Sequence, residues 1–244
     1  MKLPISYGRQ YISDGDIQAV VETLKSDYLT CGPKIPEFEQ AFCEYVHAKY
    51  SVAVCNATAA LHIAAMALGV KEGDNVICTP MTFASSANCI RFCGGNVKFV
   101  DIDPETYLLD INKLKEILST APKGTYKGMV LVDFAGYPHN MEEYRKVADE
   151  YGMWILEDAC HAPGAYFIDS TGERVYCGCG KYSDITVFSF HPVKHITTGE
   201  GGMACTQNKE YYEKMALYRT HGITHEAEKL QREDGLWYYE MQEL

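Results

Sequence analysis

The run Ser189-Phe190-His191-Pro192-Val193-Lys194 ends on a lysine, and Gly199-Glu200-Gly201-Gly202 follows closely behind it. The apolar, β-branched stretch Ile185-Thr186-Val187-Phe188 predicts a buried strand, which puts Lys194 on the loop beyond that strand's end. A lysine in such a place can do covalent chemistry. Partial desolvation favours the neutral amine, which attacks a carbonyl carbon, and a Schiff base with an aldehyde cofactor is the usual use of such a group. Taken alone, Lys194 fits a solvated surface lysine more simply, so its reading depends on what other residues reach the same place.

Other strand ends carry groups that could join it. Asn56-Ala57-Thr58-Ala59-Ala60 opens a helix, where unpaired backbone N–H groups and the Thr58 hydroxyl can hold a phosphate; a plain helix cap by Asn56 or Thr58 explains the same residues. Thr79-Pro80-Met81-Thr82-Phe83 brings an aromatic ring to a strand end, suited to stacking on a flat heteroaromatic ligand or to ordinary core packing. Met153-Trp154-Ile155-Leu156 runs into Glu157-Asp158-Ala159-Cys160-His161. Adjacent carboxylates after an apolar strand are costly to bury unless a cation meets one of them. A protonated pyridine nitrogen would be that cation for Asp158, with a magnesium ion or a helix cap as alternatives. His161 is either a neighbour of the ring or a satisfied core histidine. Ser189 adds a hydroxyl suited to the same phosphate, and the glycines at 199–202 allow close backbone approach. Together these groups fit pyridoxal phosphate better than a metal, a nicotinamide or a flavin.

The elements that must position these residues follow from periodicity. Ser13-Asp14-Gly15-Asp16 predicts a helix start, with Ile17, Val20, Val21 and Leu24 at helical spacing. The break at 29–33 precedes a second amphipathic helix carrying Ile35, Phe38, Phe42 and Tyr45. Strands are predicted at 51–55, 75–78, 97–102, 128–134, 153–157, 185–188 and 202–205. Helices are predicted at 57–68, 83–93, 111–118, 141–151 and 209–219. Strand, helix, strand repetition implies parallel pairing with crossover helices, and ligands in such sheets collect beyond the strands' carboxyl ends.

Composition narrows the partners. At 244 residues the chain can bury a large core, and a net charge of −11 argues against nucleic-acid or anionic-membrane surfaces. The opening eight residues lack the apolar region of a signal peptide, and no run approaches the ~18 apolar residues of a membrane span, so a cytoplasmic protein is expected. Most of the ten cysteines, such as Cys55, Cys78, Cys89 and Cys205, lie in apolar runs as small hydrophobes. Cys177-Gly178-Cys179 has the wrong spacing for a zinc knuckle and no second pair follows, so no metal is expected.

The order of motifs resembles the DegT/DnrJ/StrS family of sugar aminotransferases, within the fold-type I pyridoxal phosphate enzymes. The likeness rests on Ile5-Ser6-Tyr7-Gly8-Arg9-Gln10, Leu29-Thr30-Cys31-Gly32-Pro33, Glu157-Asp158-Ala159-Cys160-His161 and Ser189 to Lys194. It implies an α/β fold in three layers, with a mostly parallel seven-stranded sheet flanked by helices, the large domain of the aspartate aminotransferase fold. Residues 1–35 would form an N-terminal segment with the first helix, and 36–244 the large cofactor-binding domain. The resemblance makes Lys194 the lysine bonded to pyridoxal phosphate and Asp158 the partner of the pyridine nitrogen. Phe83 becomes the stacking ring, and Thr58, Ala59 and Ser189 become phosphate contacts. His161 stands where the family more often has glutamine beside the cofactor's phenolic oxygen.

The opening and the Ser189 to Gly202 run are most similar to the members of pseudaminic acid synthesis. The implied substrates are a nucleotide-linked sugar, a UDP-linked 4-keto-6-deoxy N-acetylhexosamine, and an amino acid donor, usually glutamate; the implied assembly is a homodimer. Family dehydratases replace the lysine with histidine, so Lys194 favours amino transfer, although His195 follows it directly. Members continue past a segment like Tyr239 to Leu244 into a Gly-x-Asn-x-Arg motif and a small C-terminal domain, both absent from this chain. The alternatives are therefore a sugar dehydratase or an inactive truncated cofactor-binding module.

Overall fold

Residues along each central strand alternate between two apolar surfaces, and this alternation builds the layers. The computed structural model describes residues 8–224, 227–232, 235 and 238–242; Ile5 to Tyr7, Glu243 and Leu244, used in the sequence reading, lie outside the described residues. The elements in chain order are α1 (Asp14–Lys25), α2 (Lys34–Val46), β1 (Tyr50–Val54), α3 (Ala57–Ala67), β2 (Asn75–Cys78), α4 (Ser85–Phe92), β3 (Asn96–Phe99), α5 (Ile111–Thr120) and β4 (Tyr126–Val132). They continue with α6 (Met141–Tyr151), β5 (Trp154–Asp158), β6 (Tyr166–Ile168), β7 (Arg174–Tyr176), β8 (Ile185–Ser189), β9 (Gly202–Thr206), α7 (Lys209–Arg219), β10 (Ile223–Thr224) and β11 (Glu240–Met241).

Seven strands form one sheet in the order β1-β9-β8-β5-β4-β2-β3. Val76, Cys78, Val130, Leu156 and Val187 face the layer of α3, α4 and α7, packing with Leu61, Ile90 and Met215. Ile77, Met129, Leu131 and Ile155 face the other way, against Leu114 of α5 and Tyr144 and Val147 of α6. A third cluster joins α2 to β8 and β9, where Phe42, Phe188, Phe190 and Met203 meet. The expected three-layer α/β sheet is therefore present.

The pairs β2–β3, β2–β4, β4–β5 and β5–β8 are parallel, whereas β9 runs antiparallel to both β8 and β1. No helix intervenes between β8 and β9, and without a crossover helix a neighbouring pair must be antiparallel. The Lys194 loop consequently leaves and re-enters the sheet at one edge, with Ser189 paired to Gly202.

Other departures are local. The helix expected from residue 83 begins at Ser85, which leaves Phe83 in the preceding turn. Strand β3 stops at Phe99 rather than 102, because its sole sheet neighbour, β2, ends at Cys78. The β6–β7 hairpin was not expected; its strands are too short to show alternation, and its turn is held by the Asp169 carboxylate, which accepts the Thr171 and Glu173 N–H groups. Helix α1 starts at the expected cap, with Ser13 and Asp16 capping each other, yet buries none of its residues. Helix α2 begins at Lys34, so a division before residue 36 runs through its first turn. All ten cysteines are free thiols, and among the described residues no helix is long and apolar enough to cross a membrane.

Candidate active site

Strand ends on the carboxyl side of the sheet converge on a cavity of about 640 Å³, lined among others by Thr58, Phe83, Asp158, His161, Ser189 and Lys194. That volume lies within the ~300–1,000 Å³ of ordinary small-molecule sites. Lys194 sits half-buried on the loop between β8 and β9. The loop is stapled at its base, where the Phe190 N–H donates to Gly201 O at 2.9 Å and Thr198 N–H and Thr197 Oγ1 both donate to Phe190 O. The Lys194 N–H donates to His191 O at 2.8 Å. Among the described residues the Lys194 ammonium has neither a carboxylate nor a hydrogen-bond partner, which leaves it free to meet a ligand.

The adjacent carboxylates of β5 part company because neighbouring strand residues point to opposite faces. Asp158, buried on the α3/α4 face, accepts the Ser86 hydroxyl at 2.5 Å and the Cys160 N–H at 3.2 Å, and still lines the cavity. Glu157 points into the other layer, where its Oε2 accepts the hydroxyls of Ser183 at 2.9 Å and Thr186 at 2.6 Å. There it lies close to Asp133 and Cys177. Burial pushes Glu157 up to about 8, with the Asp133 charge adding to the shift, and burial pushes Asp133 up to about 7. Burial and their mutual repulsion both favour the protonated form of these two carboxyls.

One wall of the cavity is built by the N-terminus of α3, the kind of turn that suits an anion. Asn56 caps the helix by accepting the Ala59 N–H at 2.8 Å, and Ala60 N–H bonds to Asn56 O, leaving the Ala57 and Thr58 N–H groups without intrahelical acceptors. Gly202 permits this placement, since a Cβ there would lie 2.5 Å from the Asn56 carbonyl carbon and 2.6 Å from the Ala57 nitrogen. Thr58 Oγ1 is 2.7 Å from Ser85 Oγ. Ser189, buried at the end of β8 and paired with Gly202, also lines the cavity. Ala59 is the one expected contact not brought to the cavity wall, because its N–H is already given to Asn56.

Phe83 is 79% exposed at the cavity's lip, which rules out simple core packing for it. An aromatic ring left this bare beside a cavity has a face available to a flat ligand. His161 accepts the Ala135 N–H on Nδ1 at 3.3 Å, so its neutral form carries its proton on Nε2. Burial first, then the nearby Lys194 charge, hold the His161 pKa below its ordinary value. Residue types alone did not single out Ser85 and Ser86 of α4, Phe134, which meets the His161 ring edge-on, or Glu200 at the mouth. For the serines a signal existed: two hydroxyls in succession at a helix start, two residues after an aromatic residue.

Fold and cavity together define the class: an α/β protein with a lysine, a buried carboxylate, an exposed ring and a helix N-terminus gathered at the carboxyl edge of its sheet. Within that class, the chain belongs to the DegT/DnrJ/EryC1/StrS aminotransferase family, whose model matches residues 10–244. It is 41% identical over 220 residues to a Campylobacter jejuni UDP-4-amino-4,6-dideoxy-N-acetyl-beta-L-altrosamine transaminase, covering 90% of this chain and 56% of the relative. It superposes on Helicobacter pylori PseC, an aminotransferase involved in the biosynthesis of pseudoaminic acid, with a TM-score of 0.85 at 29% identity, covering 98% of this chain and 60% of that one. Bacillus subtilis NtdA, solved with bound cofactor PMP, matches with a TM-score of 0.76 at 29% identity over 91% of this chain and 49% of its own. The chain thus spans little more than half the length of the curated relative.

Proposed function

We propose that this chain serves a pyridoxal phosphate-dependent aminotransferase that moves an amino group from an amino acid, glutamate, to C4 of a nucleotide-linked 4-keto-6-deoxy sugar. The relatives' names favour a UDP-linked N-acetylhexosamine in pseudaminic acid-type glycan synthesis. On this reading residues 36–244 form the large cofactor-binding domain of a cytoplasmic homodimer and residues 1–35 its N-terminal segment. Ten free thiols suit a reducing compartment.

The observation that carries the reading is the union, in one cavity, of an unpaired Lys194 amine with a buried Asp158 carboxylate. The remaining groups fit the cofactor's shape. The free N–H groups of Ala57 and Thr58, with the Thr58 and Ser189 hydroxyls, suit its phosphate, and the bare face of Phe83 suits its ring. Lys194 would hold the cofactor's aldehyde carbon, and the His161 Nε2–H would donate to the ring's phenolic oxygen. Ala59 would act through its place in the helix turn rather than through its own N–H. Bound pyridoxal phosphate supplies an electron sink for the carbon that bears the transferred amine.

The chain's own residues then do the rest. Asp158 would hold the proton on the ring nitrogen, where an anion strengthens the sink. Lys194 Nζ, as the one free amine in the cavity, would serve as the base that takes the proton from the amine-bearing carbon of the donor and as the acid that returns a proton to the carbon of the keto sugar. Incubation with pyridoxal phosphate, glutamate and a UDP-linked 4-keto-6-deoxy N-acetylhexosamine should yield amino sugar and 2-oxoglutarate in equal amounts, and none with Lys194→Ala. A deoxy product without amino transfer, or full turnover in Lys194→Ala, contradicts the assignment.

A further inference from the structure

The N-cap position of α4 is held by Ala84, which has no side-chain oxygen to cap the helix, and the two serines that follow it bond to groups outside the helix. Ser85 Oγ meets Thr58 Oγ1 at 2.7 Å, on the turn that opens α3. Ser86, fully buried, donates its hydroxyl to Asp158 Oδ2 at 2.5 Å. Its oxygen is 2.6 Å from Thr82 Oγ1; because the Ser86 proton is committed to Asp158, Thr82 is the donor of that contact. The Phe83 carbonyl, 3.3 Å from Ser86 Oγ, is the longer and weaker alternative for the same proton.

We infer that Ser85 and Ser86 are a paired positioning device, in which one turn of α4 fixes the two ends of the cofactor cradle at once. This inference rests on the pyridoxal phosphate reading above. Successive helix residues point about 100° apart, so the pair reaches two different elements, Ser85 the phosphate turn and Ser86 the carboxylate at the end of β5. Phe83 lies just before them in the same segment. The stacking ring, the ring-nitrogen partner and the phosphate turn are thereby tied to one rigid piece of backbone. Hydroxyl chains that end on a carboxylate polarise along their length, so the Thr82 to Ser86 to Asp158 series both orients Asp158 and stabilises its charge.

The two serines therefore act on separable properties. Cofactor affinity, inhibition of cofactor binding by inorganic phosphate, and the pH midpoint of the bound cofactor's absorbance distinguish them. Ser85→Ala should weaken cofactor and phosphate about 3- to 10-fold, the loss of one hydrogen bond to an anion site, and leave the pH midpoint in place. Ser86→Ala should raise the midpoint by about half a pH unit or more, because a loosened Asp158 leaves the ring less positive and the nitrogen joined to Lys194 then keeps its proton to higher pH, while changing phosphate inhibition less than about twofold. Ser85→Thr and Ser86→Thr should restore each property. Thr82→Val, which interrupts the series one step earlier, should move the midpoint in the same direction as Ser86→Ala even if that variant folds poorly. Wild-type midpoints in both Ser86→Ala and Thr82→Val, or identical effects of Ser85→Ala and Ser86→Ala on all three readouts, would overturn the inference. Absence of a bound chromophore in the wild-type chain would instead overturn the cofactor reading and this inference with it.

Discussion

Lys194 and Phe83 show how little a residue's type says about its role until its surroundings are known. Each had an ordinary explanation, solvated lysine or core phenylalanine. The exposure of the Phe83 ring excludes its ordinary explanation directly. Because so little of that ring is buried, Phe83→Ala should leave the thermal midpoint of the cofactor-free chain unchanged. It should weaken cofactor binding about 3- to 10-fold, the worth of one aromatic stacking contact. Titration of cofactor fluorescence against both proteins measures this, and a loss of stability without loss of affinity would return Phe83 to a packing role. His161 is subtler, since its tautomer depends on the backbone N–H of Ala135, a residue with positive φ in the turn after β4. Nothing in the composition of Glu157-Asp158-Ala159-Cys160-His161 announces that contact.

At the scale of elements, the strand and helix pattern was largely legible because alternation and helical spacing are properties of a single segment. Asn75–Cys78, Met141–Tyr151 and Lys209–Arg219 have the expected bounds. What depended on other segments was not legible. The reversal of β9 follows from the missing crossover helix, and the partners of Ser85 and Ser86 lie on α3 and β5, far away in sequence. The opposite fates of Glu157 and Asp158 belong to this scale too, since the strand's alternation alone sends one carboxyl to each layer. That division has a pH consequence. Burial raises the Glu157 pKa, so between its ordinary value and about 8 the folded chain keeps a proton that the unfolded chain has released. The native state binds more protons over that window, so its stability is greatest at the acidic end and falls as pH rises, by up to about 1.4 kcal/mol per unit. Glu157→Gln cannot titrate, and its amide keeps an acceptor for Ser183 and Thr186 while offering N–H to Asp133. Thermal midpoints between pH 5.5 and 8.5 should decline less steeply in that variant, and an unchanged slope would show that the proton is held elsewhere.

For the molecule as a whole, the sheet is a device for bringing distant segments to one edge. Asn56 to Thr58, Phe83, Asp158, Ser189 and Lys194 come from well-separated parts of the chain and share a cavity because β1, β2, β5 and β8 all end there. The relatives carry additional length beyond what this chain matches, whereas the residues argued to grip the cofactor are all within it. Cofactor capture can therefore be tested apart from turnover. The most direct measurement is to incubate the chain with pyridoxal phosphate, reduce it with borohydride, and map the modified peptide by mass spectrometry. The account predicts a stable phosphopyridoxyl adduct on Lys194, absent from Lys194→Ala and weakened in Asp158→Ala. No adduct, or an adduct spread over surface lysines and undiminished in Lys194→Ala, would contradict it.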